Sequence, residues 1–148
     1  MPIFYEKIND VSIPKLKRRE TTNWIKFVIN YYHKKAGNIN YIFCSDDEIL
    51  QINKRYLNHD YYTDIITFDY TENDTISGDL FISLDTVSSN AVKFATDYQD
   101  ELLRVMVHGI LHLCGFKDKT PHDEELMRKK ENEALAFLAN DGYKIDNR

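Results

Sequence analysis

The chain has 148 residues, of which 43% are apolar and 29% charged; that balance fits one globular domain and excludes a disordered or fibrous protein. No apolar run approaches the roughly 18 residues of a membrane span, and MPIFYEKIND carries no charged leader followed by an apolar block, so a cytoplasmic protein without a membrane partner is expected. The net charge of −5 argues against general nucleic-acid affinity, yet residues 11–36 hold seven basic side chains against one acid, so that this segment is +6 and the remainder −11. Cys44 and Cys114 fit a reducing compartment and small buried side chains better than a disulfide framework.

In chain order, IFYEKI (3–8) predicts a first strand, and Pro14 opens a helical pattern that stops at Gly37. On that helix Leu16, Trp24, Phe27, Val28 and Tyr31 share a core side, while Lys15, Arg19 and Lys26 gather on the other. A basic side of this kind is either a solvated face or a surface offered to a polyanion. INYIFC (39–44) predicts a second strand, and Ser45 with Glu48 three residues on is a capping-box start for a helix ending near Asn58. TDIITFDY (63–70) and SGDLFISL (77–84) predict strands around the turn TENDT. Asp85 is a candidate cap for a helix carrying Val87, Ala91, Val92 and Phe94. A helix follows from about Gln99 to Cys114, then Gly115, then Pro121 before a last helix with Leu126, Met127 and Leu135, and DGYKIDNR as a tail. Strands and helices mix without strict alternation, which predicts a single α+β domain over 1–148, with a small mixed sheet packed by helices.

The segment from Leu102 to Cys114 is apolar on nearly every side, so it is expected to be a buried central helix. It carries H-x-x-x-H, His108 and His112. Four residues rotate a helix by only about 40°, so both imidazoles leave one face and can meet on one ion. Buried imidazoles need partners for their ring nitrogens, and a shared metal supplies one. Catalytic zinc also requires a third ligand and an open position. Gly115 can end the helix in a left-handed turn that doubles the chain back, bringing Asp118 within reach. His122 is the alternative, although Pro121 is expected to carry it outward in the first turn of the last helix. Cys114 lies about 200° round from His112 and is expected to face away.

These residues, VHGILHLCGFKD (107–118), together with NKRYLNHDYYTDIITF (53–68) and GDLFIS (78–83), resemble the YbeY family of metal-dependent endoribonucleases, which mature ribosomal RNA. The family pattern H-G-x-x-H-L-x-G-x-D-H matches His108, Gly109, His112, Leu113 and Gly115; its third ligand, usually His, falls on Asp118, and its acid on Lys117. The Arg that commonly follows the Tyr of N-x-x-Y is Leu57 here, with Arg55 and His59 as candidate stand-ins. The resemblance makes Gly109 the ordinary residue where zinc proteases carry their Glu. It implies one zinc ion per chain, whose bound water, at a pKa of about 7, is the nucleophile. It implies a single-stranded ribosomal RNA substrate near the 3′ end of the small-subunit RNA, a place in ribosome quality control, and the small ribosomal subunit as partner. Lys15, Arg19 and Lys26 are the candidate RNA-binding residues, and Asp64 and Asp79 candidate cleft acids, although an Asp at a strand start commonly serves its local backbone. Two other readings are a metal-dependent hydrolase of peptides, against which Gly109 counts, and a ribosome-associated factor with a structural metal.

Overall fold

The structure, a computed structural model, describes residues 3–9, 11–59 and 62–140. Alternation of apolar and polar residues gives four strands: β1 (Ile3–Lys7), β2 (Lys35–Cys44), β3 (Ile65–Asp69) and β4 (Thr75–Ser83). They form one sheet in the order β1-β2-β4-β3. β1 and β4 flank β2 in parallel, while β3 runs antiparallel to β4 and forms a free edge. Five helices complete the α+β fold: α1 (Arg18–Tyr31), α2 (Asp46–Leu57), α3 (Leu84–Lys93), α4 (Tyr98–Leu113) and α5 (Pro121–Ala139). The predicted tail, 141–148, lies outside the described residues.

The core sits between the sheet and the helices α1, α4 and α5. Trp24, Ile25, Tyr41, Leu80, Met106 and Ile110 are fully buried within it. Its two large polar-tipped aromatics are each satisfied by backbone: Trp24 Nε1 donates to Ala134 O at 2.8 Å, and Tyr41 Oη to Met106 O at 2.8 Å. A second cluster, Cys44, Ile49 and Ile66 with Phe68 and Phe81, packs beneath α2. The predicted capping box is formed, with Glu48 N donating to Ser45 Oγ at 3.2 Å and Ser45 N to Glu48 Oε1 at 2.8 Å. Both cysteines are free thiols. Among the described residues no helix is long and apolar enough to cross a membrane.

Three expectations are corrected. The first helix begins at Arg18 rather than Pro14 and ends at Tyr31, before His33 in the left-handed region at φ 62°. Val11, Ile13 and Leu16 instead pack along the core from a non-helical segment. Lys15 therefore precedes the helix and does not share a helical face with Arg19 and Lys26. Gly37 is no helix stop. It lies inside β2, where a Cβ would approach Ile76 O to 2.9 Å, next to a register shift between Ala36 and Ile39. The cap of α3 is Ser83, whose Oγ accepts from Thr86 N at 3.2 Å; Asp85 Oδ2 accepts instead from Asp46 N at 2.9 Å, at the start of α2. On α3 Val87 and Ala91 face the core, whereas Val92 and Phe94 are exposed.

Candidate metal centre

The site grows from a break in the apolar surface of α4. From Leu102 to Leu113 every residue is buried except Arg104, His108 and His112, which stand four apart and so form one stripe. That spacing brings His108 Nε2 and His112 Nε2 to 3.0 Å, with the two rings nearly perpendicular at 83°. Beyond the helix Gly115 adopts φ 105°. Its N–H donates to His112 O at 2.9 Å, and Phe116 N–H to Leu111 O at 3.0 Å, the paired bonds of a Schellman stop. Phe116 closes the turn by packing on the Tyr32 ring at 5.1 Å. The reversed chain delivers Asp118 Oδ2 to 3.3 Å from each Nε2.

These three atoms fit a metal ion. Ligands about 2.0–2.1 Å from a tetrahedral zinc stand about 3.3–3.4 Å from one another. The observed edges are 3.0, 3.3 and 3.3 Å. Electrostatics points the same way. His108 Nδ1 lies 2.6 Å from Glu131 Oε2 and is the donor to that carboxylate, which leaves Nε2 as the ring nitrogen turned toward His112 and Asp118. Two imidazole nitrogens and a carboxylate oxygen then face one point, a donor set that a metal ion can take. His108, His112 and Asp118 could hold a metal ion, all their ligating atoms lying within 4.8 Å of one another.

Glu131 is the residue that sequence reasoning missed. It is buried on α5 in line with Met127 and Ala134, and an acid set in an apolar stripe was the available signal. Arg104 Nη1 donates to its Oε1 at 3.0 Å. Burial opposes its charge, but the bonds from His108 and Arg104 outweigh that and hold the Glu131 carboxyl below its ordinary pKa. Burial likewise disfavours a charged His108, yet the Glu131 bond and the nearby Asp64 and Asp118 carboxylates raise its pKa overall.

A cleft of about 510 Å³ opens on this centre, between α4, the end of α2 and the free edge of β3. Asn53, Leu57, His59, Asp64, Thr67 and Lys119 are among its walls. Burial raises the Asp64 carboxyl, partly offset by His108. Leu57 and His59 thus face the site, whereas Arg55 is exposed on α2 and does not line the cleft. Asp79 is elsewhere, accepting from Asn40 Nδ2 at 2.9 Å across the sheet. His122 is exposed in the first turn of α5 and stands outside the metal-holding group. The Cys114 thiol, pushed up to about 11 by burial, is no ligand either. Arg19 borders a separate groove beside β1, and neither Lys15 nor Lys26 lines the cleft.

Gly109 faces the sheet. A Cβ there would meet Ile65 Cδ1 at 2.8 Å and Leu80 Cδ2 at 3.0 Å, so the position that carries the glutamate in zinc proteases has no room here for that side chain. The missing side chain is what lets α4 lie close enough to β3 for the histidines to border the cleft.

Residues 5–139 match the family model described as Endoribonuclease YbeY. The chain belongs to the YbeY family. It is similar to proteins named Endoribonuclease YbeY from Parabacteroides distasonis, 60% identical over 129 residues covering 87% of this chain and 91% of that protein. The Phocaeicola vulgatus protein of that name is 61% identical, covering 87% and 94%. The Bacteroides fragilis protein is 56% identical over 137 residues, covering 93% and 98%. A solution structure of a Thermotoga maritima protein has the same fold, with a TM-score of 0.63 at 24% identity, covering 97% of this chain and 95% of that one. In this chain the α4 helix and its glycine turn act together: one places the two imidazoles, the other returns Asp118 to them.

Proposed function

We propose that the protein is a zinc-dependent endoribonuclease of the cytoplasm that cuts single-stranded ribosomal RNA near the 3′ end of the small-subunit RNA. Ribosome quality control and association with the small subunit belong to the same reading. The observation that carries the reading is the triangle of His108, His112 and Asp118 at the floor of an open cleft, in a chain of the YbeY family.

His108, His112 and Asp118 would hold the ion through two nitrogens and one oxygen, a donor set that suits zinc. A bound divalent ion supplies Lewis acidity toward a phosphoryl oxygen and acidifies water. The chain supplies the rest. Glu131 accepts a hydrogen bond from His108 Nδ1, so that Nε2 is the nitrogen left to face the ion. Lys119 gives the wall a cation for phosphate, and the β3 edge and Leu57 shape a cleft floor without a protease glutamate. The absence of space at Gly109 disfavours peptide hydrolysis by the zinc-protease route.

The test pairs metal content with turnover. The purified protein should contain about one zinc per chain and cleave single-stranded RNA faster than duplex RNA. Chelator should abolish cleavage, and His108→Ala should lose both metal and cleavage. Metal retained with no RNA turnover, or cleavage indifferent to chelator, refutes the proposal. A His112→Ala variant that melts earlier but cuts RNA as well as the parent assigns the metal a structural role.

A further inference from the structure

The metal centre borders a second cleft as well as the first. His108 and Asp118 also line a space of about 510 Å³ on the α5 side, walled by Pro121, Glu124, Met127 and Arg128. The two clefts share His108 and Asp118, so a strand that fills both would pass over the ligand triangle. Its next phosphate would stand over the first turns of α5.

The charges along this path are unfavourable to a polyanion except at two points. The first cleft carries Asp64, Asp69 and Asp118, with Lys119 as its one Lys or Arg among the described residues. The second carries Glu124, Glu125 and Glu131, with Arg128 as its one Lys or Arg among the described residues. Arg128 is well placed to act. Its side chain is 58% exposed, and its Nη1 stands 3.7 Å from Glu131 Oε1, beyond hydrogen-bond length. Glu131 is already occupied by His108 and Arg104, both at closer range. A guanidinium held in position by one loose ion pair keeps most of its donor fork for a planar or tetrahedral anion.

We infer that Arg128 binds the RNA phosphate adjacent to the scissile one, on the α5 side of the metal centre. The inference rests on the endoribonuclease reading above. It also supplies, from α5, a phosphate cation beside a centre whose α2 side offers Leu57.

The experiment compares the full-length parent, Arg128→Gln and Arg128→Lys, measuring metal content, melting temperature and kcat/KM on single-stranded RNA at several salt concentrations. Metal content and melting temperature should match the parent, because Glu131 keeps its two closer partners. Arg128→Gln should lower kcat/KM about tenfold to a hundredfold, the range of one charge-assisted contact. The slope of log kcat/KM against log salt should become shallower by about 0.7, one phosphate of a single strand. Arg128→Lys should restore the slope and part of the rate. Parental rate and slope in Arg128→Gln overturn the inference, as does a lowered rate with an unchanged slope, which marks a purely structural role. A parent that cleaves no RNA, with its zinc in place, fails the endoribonuclease reading itself and takes this inference with it.

Discussion

Glu131 and Gly109 set the candidate metal centre from two faces of α4, one holding His108 and the other admitting the sheet. Replacing Glu131 with Gln keeps the shape but weakens the acceptor for the His108 Nδ1 proton, and should lower metal affinity about tenfold to a hundredfold, as loss of such orienting carboxylates does. Competition with a chromogenic chelator measures it; affinity within twofold of the parent would mean that His108 needs no orienting partner. Gly109→Ala sets a helix-propensity gain of about 1 kcal/mol against overpacking of about 1–3 kcal/mol. A net loss of up to about 2 kcal/mol is expected, relieved in part by Ile65→Val, which removes the Cδ1 atom that a new Cβ would strike. Urea unfolding of the two single variants and the double variant reads this coupling, and strict additivity would refute the packing argument. The two histidines, the turn glycine and Asp118 were legible in the sequence because helical spacing and a left-handed stop are local rules. Glu131 was not, because its partner lies 23 residues away on another helix, and no local pattern announces a contact between helices.

At the scale of elements, the same division holds. The capping box of α2 was readable from Ser45 and Glu48 alone. The start of α1 was not, since Pro14 is an acceptable first helical residue and only the packing of Val11, Ile13 and Leu16 on the core decides for a non-helical path. The box also makes a pH prediction. Burial opposes the Glu48 charge, but its bonds to Ser45 and Asn9 together outweigh that and lower its pKa beneath the ordinary 4.5. A depressed folded pKa contributes stability that is present above 4.5 and disappears as pH falls through the folded value. Glu48→Ala should therefore cost about 0.5–1 kcal/mol at neutral pH, with parent and variant converging in acid; denaturant unfolding at a series of pH values tests it. The turn after α4 is equally exposed to test. Gly115→Ala forces a side chain into the left-handed region, at about 1–2 kcal/mol. It should also loosen metal binding, because the same turn carries Asp118 to the histidines. Tight metal binding in a destabilised Gly115→Ala protein would separate the turn from Asp118.

Across the whole molecule, the charge asymmetry read from the sequence does not coincide with the cleft. Arg19 borders another groove and Lys26 does not line the cleft, while Lys15 lies before α1. If a bound strand continues over α1, neutralising Arg19 and Lys26 together should flatten the salt dependence of RNA affinity by about 1.4, two single-strand phosphates. An unchanged slope in fluorescence anisotropy would return these side chains to solvent. The α+β class and the mixed sheet followed from the order of elements, whereas the placement of β3 at the edge, beside the metal centre, is a matter of pairing partners that periodicity does not encode.

All three ligating side chains fall within the eleven positions 108–118. Gathering them needs one helical turn and one reversal, so the loop that must close around the ion is short and its entropic penalty small. An ion bound there would tie α4 to the bend behind it without drawing on the distant pairing of β1 with β2.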